Sequence, residues 1–154
     1  MRSMPEDGGG IHGEKVLVGV VREQVVHAEN ILVSGWFSVR LATGENLLLH
    51  GRGKVWLLAG DTCVVASSGG PIVINNMYCG TAILIGGRHP VIVGYLKARK
   101  AYTRRVMVNE LRTHEWVSSA MSGVRKVSAS HILFMDPHSY MVEVEYLGSV
   151  TYGY

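Results

Sequence analysis

No stretch of this sequence approaches the roughly 18 consecutive apolar residues that a membrane-spanning helix needs. The N-terminal segment, with Glu6, Asp7 and the run Gly8-Gly9-Gly10, lacks the apolar core of a signal peptide. The expectation is therefore a soluble chain with no membrane among its partners. Cysteine is almost missing. Cys63 and Cys79 permit one disulfide at most and stand inside apolar runs, so both read as reduced, buried thiols. That reading places the chain in the cytoplasm, the nucleus or the interior of a virion, because secreted domains usually keep their cysteines oxidised. Charged residues are also scarce, at 18% against 47% apolar, which excludes wholesale disorder and supplies material for the core of one domain.

Motifs of known chemistry are missing as well. The seven histidines (His12, His27, His50, His89, His114, His131 and His138) include no His-x-His or His-x-x-x-His pair, so no metal-ligand set is assigned. Ser67-Ser68-Gly69-Gly70 is not a Gly-x-Ser-x-Gly elbow and leads into a strand. Gly51-Arg52-Gly53-Lys54 falls short of a phosphate cradle, because Val55 to Leu58 continues as a strand rather than a helix. Asp136, His138, Glu143 and Glu145 could bring acid and imidazole together, but Glu143 and Glu145 alternate along a strand, where solvated charges normally sit. The sequence therefore predicts a protein that is not an enzyme and carries no cofactor.

What the sequence does contain is a succession of short Val-, Ile- and Leu-rich runs from Lys15 to Tyr95. Among them are Val16 to Val21, Ile31 to Leu41, Cys63 to Ala66, Ile83 to Ile85 and Val91 to Val93. The separators carry turn chemistry, as in Thr43-Gly44-Glu45, Gly60-Asp61, Asn75-Asn76 and His89-Pro90. With no room for crossover helices, the runs predict an antiparallel β-sandwich or jelly roll. After Tyr95 the spacing of Met107, Leu111, His114, Val117 and Met121 predicts one amphipathic helix at about 105–121, stopped by Ser122-Gly123. Residues 1–13 read as a flexible arm and 14–154 as a single β-rich domain.

Charge is unevenly placed. Residues 1–90 balance seven Lys/Arg against seven Asp/Glu, whereas 91–154 hold eight against five. Lys97, Arg99, Lys100, Arg104 and Arg105 fall within nine positions with no acid among them, beside Tyr95 and Tyr102. Cations interleaved with aromatics point to a nucleic-acid phosphate backbone, with Tyr102 stacking on a base. The candidate site is therefore Lys97, Arg99, Lys100, Tyr102, Arg104 and Arg105.

The stretch from Glu45 to about Val117 includes Gly53-Lys54-Val55-Trp56-Leu57, Tyr78-Cys79-Gly80-Thr81, Ile83-Leu84-Ile85-Gly86-Gly87 and Asn109-Glu110-Leu111-Arg112-Thr113-His114. It resembles the N-terminal β-sandwich of the RNA 5′-hydroxyl polynucleotide kinases of mRNA and rRNA processing, over about half the chain. The resemblance implies a sandwich with an RNA-processing partner, but not kinase activity, since these residues include no P-loop. Two functional expectations follow. The first is a structural or assembly protein, a coat component or subunit of a larger complex, that self-associates through apolar strands such as Ile83-Leu84-Ile85 and Val91-Ile92-Val93. The second is an RNA-binding or RNA-processing accessory domain that uses the basic stretch on RNA or DNA.

Overall fold

The computed structural model describes residues 13–154, so the expected N-terminal arm, apart from Gly13, lies outside the described residues. Six extended segments follow one another: β1 (Glu14–His27), β2 (Asn30–Ile85), β3 (Val91–Arg104), β4 (Val106–Ala120), β5 (Gly123–Phe134) and β6 (Tyr140–Tyr152). They form one sheet in chain order, and every neighbouring pair is parallel. Glu14 pairs with Asn30, Gly19 with Gly35 and His27 with Thr43, a constant step of 16 residues. β2 is 56 residues long and folds onto itself in the same way. The chain thus winds into a parallel β-solenoid of about nine circuits, or coils, with no helix among the described residues.

This overturns the antiparallel sandwich or jelly roll, and with it the sandwich implied over Glu45 to Val117 by the kinase resemblance. Parallel neighbours normally need a crossover helix. Here the rest of each coil brings the chain back instead. Corners take the place of the expected turns: Gly19 and Gly35, inside runs read as strands, and Gly51 bend the backbone at φ 102°, 121° and 125°, one coil apart. Stacked corners leave no space for a side chain, since a Cβ at Gly51 would come within 2.1 Å of the Gly35 carbonyl oxygen.

The helix expected at 105–121 is also absent, because those residues form β4. Their buried positions are Val106, Val108, Leu111, Trp116 and Ser118, while Met107, His114 and Met121 face outward. Strand alternation gives steps of two. Each corner adds a residue, as between Val108 and Leu111, and this mixture of steps mimics the helical period. Leu111 is a core residue, as the sequence suggested, but on a strand.

The core is a set of columns running along the solenoid. Met77, Leu96, Leu111 and Val127 stack in register and are fully buried, as are Val91 and Val106 in a second column. Cys63 and Cys79 occupy neighbouring coils and are joined by a disulfide with Cα atoms 6.3 Å apart, which corrects the reading of two reduced thiols. The redox argument for an intracellular setting goes with it. Among the described residues no helix is long and apolar enough to cross a membrane.

Candidate functional site

Outward residues of a solenoid stack as the inward ones do, about 4.8 Å apart along the axis. A short basic segment therefore meets whatever lies one coil above and below it. Lys97 pairs with Tyr78 on one side and Arg112 on the other, and Tyr95 pairs with Asn76 and Glu110. Arg99 lies across Gly80, where a Cβ would stand 2.9 Å from its guanidinium, so the missing side chain makes room for the cation. Tyr78, Tyr95, Lys97, Arg99, Arg112 and His114 together line one groove. The two tyrosine rings stand 5.7 Å apart and tilted by 51° to one another.

The structure divides the candidate residues rather than gathering them. Ala98 is buried between Lys97 and Arg99, and Ala101 and Thr103 are buried on either side of Tyr102. The successive exposed residues Arg99 and Lys100 mark a corner between these alternations. Lys100, Tyr102 and Arg104 therefore leave the groove, and Lys100 stacks on Glu115. Arg105 holds a positive φ of 54° at the next corner, and its guanidinium donates to the Gly87 carbonyl at 3.4 Å. Only Lys97 and Arg99 of the six candidates line the groove. Tyr78, Arg112 and His114 could have been found only by knowing the coil length, since they lie one coil away in sequence.

Ion pairing separates the cations further. Arg112 donates to Glu110 at 3.2 Å and Glu145 at 3.0 Å, and Lys126 reaches Glu145 at 3.0 Å. The hydrogen bond to Glu110, then the charge of Glu145, raises the Arg112 pKa. The hydrogen bond and charge of Lys126, followed by the charge of Arg112, lower that of Glu145. Among the described residues Lys97, Arg99, Lys100, Arg104 and Arg105 make no ion pair with a carboxylate. Their charge is available to an anion from outside.

The other polar clusters have structural partners. Burial raises the Asp136 pKa, but hydrogen bonds from the Ser139 hydroxyl at 2.7 Å and the Met121 and His138 N–H groups outweigh it and leave the pKa lowered. Asp136 thereby anchors the loop before β6. Glu143 and Glu145 face Arg125, Lys126 and Arg112. The Ser67 hydroxyl accepts from the Gly87 N–H at 3.0 Å and donates to the His89 carbonyl, fastening the loop between β2 and β3. Among the described residues no three His, Cys, Asp or Glu side chains converge as metal ligands.

Comparison with protein-family models, with curated proteins and with solved structures finds no match to this chain.

Proposed function

We infer that this protein is a non-enzymatic structural unit that stacks end to end with copies of itself. The supporting observation is the open end of its core. Val144 continues the column of Met77, Leu96, Leu111 and Val127, yet it is 48% exposed where those four are fully buried. Val142, Tyr146 and Tyr152 of β6 are exposed too, and among the described residues no loop or helix covers them. Solenoids that stay monomeric close their ends with polar caps. At the opposite end β1 offers a strand edge that is unpaired among the described residues, with Val18 and Val20 exposed.

Both edges belong to one parallel ladder, so the β1 of a second copy can continue the pairing beyond β6 without reversing direction. Such a contact joins two different surfaces, repeats without closing and builds a filament. Leu84, Val91 and Val93, from the apolar runs first expected to drive association, lie inside the molecule's own core. The exposed ends take their place.

The test is light scattering on a sizing column across protein concentration. Wild-type mass should rise with concentration at tens of micromolar, an order of magnitude suited to a standard interface. The double variant Val142→Lys, Val144→Lys, which places charges on the β6 edge, should remain a monomer and melt at the temperature wild type shows when dilute enough to be monomeric. A wild-type protein that stays monomeric throughout that range sinks the proposal.

A second reading, contact with a nucleic-acid backbone, is favoured by the unpaired Lys97 and Arg99 beside Tyr78 and Tyr95. It predicts RNA retention that falls with salt and weakens in the double variant Lys97→Ala, Arg99→Ala.

A further inference from the structure

The first three coils carry another cationic surface, which the basic stretch does not include. Trp36, Ser38 and Arg40 are exposed around the buried Phe37 and Val39. One coil earlier, Val20 pairs with Trp36 and Arg22 with Ser38. One coil later come Arg52, Lys54 and Trp56. The Arg52 guanidinium lies 4.8 Å from the centre of the Trp36 ring, and that of Arg40 lies 5.7 Å from the Trp56 ring. The Lys54 ammonium stands 4.7 Å from the same Trp56 ring. Arg22, Trp36, Arg40 and Trp56 line a common groove whose one carboxylate is Glu23.

We propose that this surface binds single-stranded nucleic acid, with the arginines on phosphates and Trp36 against a base. A guanidinium held over an indole keeps its in-plane N–H donors pointing outward, the geometry that grips a phosphate. Among the described residues Arg22, Arg40, Arg52 and Lys54 form no ion pair, so an incoming anion displaces no carboxylate; Arg52 donates only to the Gly69 carbonyl, at 3.5 Å. Trp36 is 57% exposed, an uncommon position for the largest apolar side chain, with the Arg52 guanidinium over its ring. Cations set among stacking rings match a chain that alternates phosphates with unpaired bases. A duplex hides its base faces, and an acidic peptide carries no regular series of planar rings. The surface lies on different coils from Lys97 and Arg99 and so does not depend on that groove, whereas its Val20 and Arg22 belong to β1, the strand at the end of the stack.

The experiment is fluorescence anisotropy with a labelled oligouridine RNA, at protein concentrations where light scattering shows monomer. Wild-type affinity should fall steeply with salt. In the double variant Arg40→Ala, Arg52→Ala the log–log slope should flatten by about 1.4, at about 0.7 for each lost contact. The Arg40→Lys, Arg52→Lys variant should keep the slope. Trp36→Ala should weaken binding about tenfold with the slope unchanged, and should abolish most of the indole quenching caused by RNA. Lys97→Ala with Arg99→Ala should leave the indole quenching caused by RNA, which reads this surface, as it is in wild type. The proposal is overturned if wild-type protein fails to bind, or if the Arg40→Ala, Arg52→Ala variant retains wild-type slope and affinity. It is equally overturned if these variants lose binding to a sulfated polysaccharide but not to RNA.

Discussion

Replacing Trp116 with alanine should lower the free energy of unfolding by about 3 to 5 kcal/mol, the cost of emptying a fully buried aromatic site. Trp116 is fully buried and stacks between Ala101 and Ile132 of the adjoining coils. Its ring meets that of Phe134 edge to face at 5.2 Å, and its indole N–H donates to the Thr103 hydroxyl at 2.8 Å. Thr103 is itself 2% exposed, so the truncation also strands its oxygen without a donor. Trp116→Phe restores most of the apolar volume but not the hydrogen bond, and should cost about 1 to 3 kcal/mol. Urea denaturation of the three proteins reads both differences. A midpoint unchanged in Trp116→Ala would place the indole outside the core.

The second large effect belongs to the glycine corner. Gly51→Ala combines the strain of a positive φ with a collision, because its Cβ would meet the Gly35 carbonyl oxygen and the coils would have to separate. A loss of about 3 to 5 kcal/mol is expected, from roughly 1 to 2 for the backbone and the rest for overpacking. Gly69 supplies the contrast. It also has a positive φ, of 79°, but an added Cβ would find no atom within 4 Å. Gly69→Ala should therefore cost only the backbone part, about 1 to 2 kcal/mol. Equal losses in the two variants would show that close stacking of coils is not what requires glycine at position 51.

The same corner explains how much of the fold could be read from sequence. Leu111 was legible as core from its apolar spacing, although that spacing pointed to a helix, and the basic stretch declared itself as exposed; Val91 and Val93, in a run apolar throughout and first expected to drive association, are core. Strand direction did not, because alternation is identical in parallel and antiparallel sheets. The distinguishing signal was the repeat: Gly19, Gly35 and Gly51 are 16 residues apart, and so are Cys63 and Cys79. That period then dissolves. From Tyr78 the register steps to Lys97, Arg112, Ser128 and Tyr146, intervals of 19, 15, 16 and 18 residues. Loops such as Gly86 to Pro90 and Met135 to Ser139 absorb the difference.

The candidate site was legible to the same extent. Lys97 and Arg99 stood out because they belong to five cations within nine positions with no acid among them. Tyr78 and Arg112 complete the groove from neighbouring coils, and only an unbroken repeat would have announced them. The Trp36 and Trp56 surface lies where the 16-residue step is unbroken, so Arg52 across from Trp36 and Arg40 across from Trp56 become legible once that period is seen.

End-to-end stacking has a dimension that no other assembly shares. If β1 of one copy continues the ladder beyond β6 of the next, each molecule adds about nine coils at about 4.8 Å each. Electron micrographs of concentrated wild-type protein should then show filaments with an axial repeat of about 43 Å, and the Val142→Lys, Val144→Lys variant should form none. Filaments with an unrelated repeat, or closed dimers that grow no further, would contradict the account.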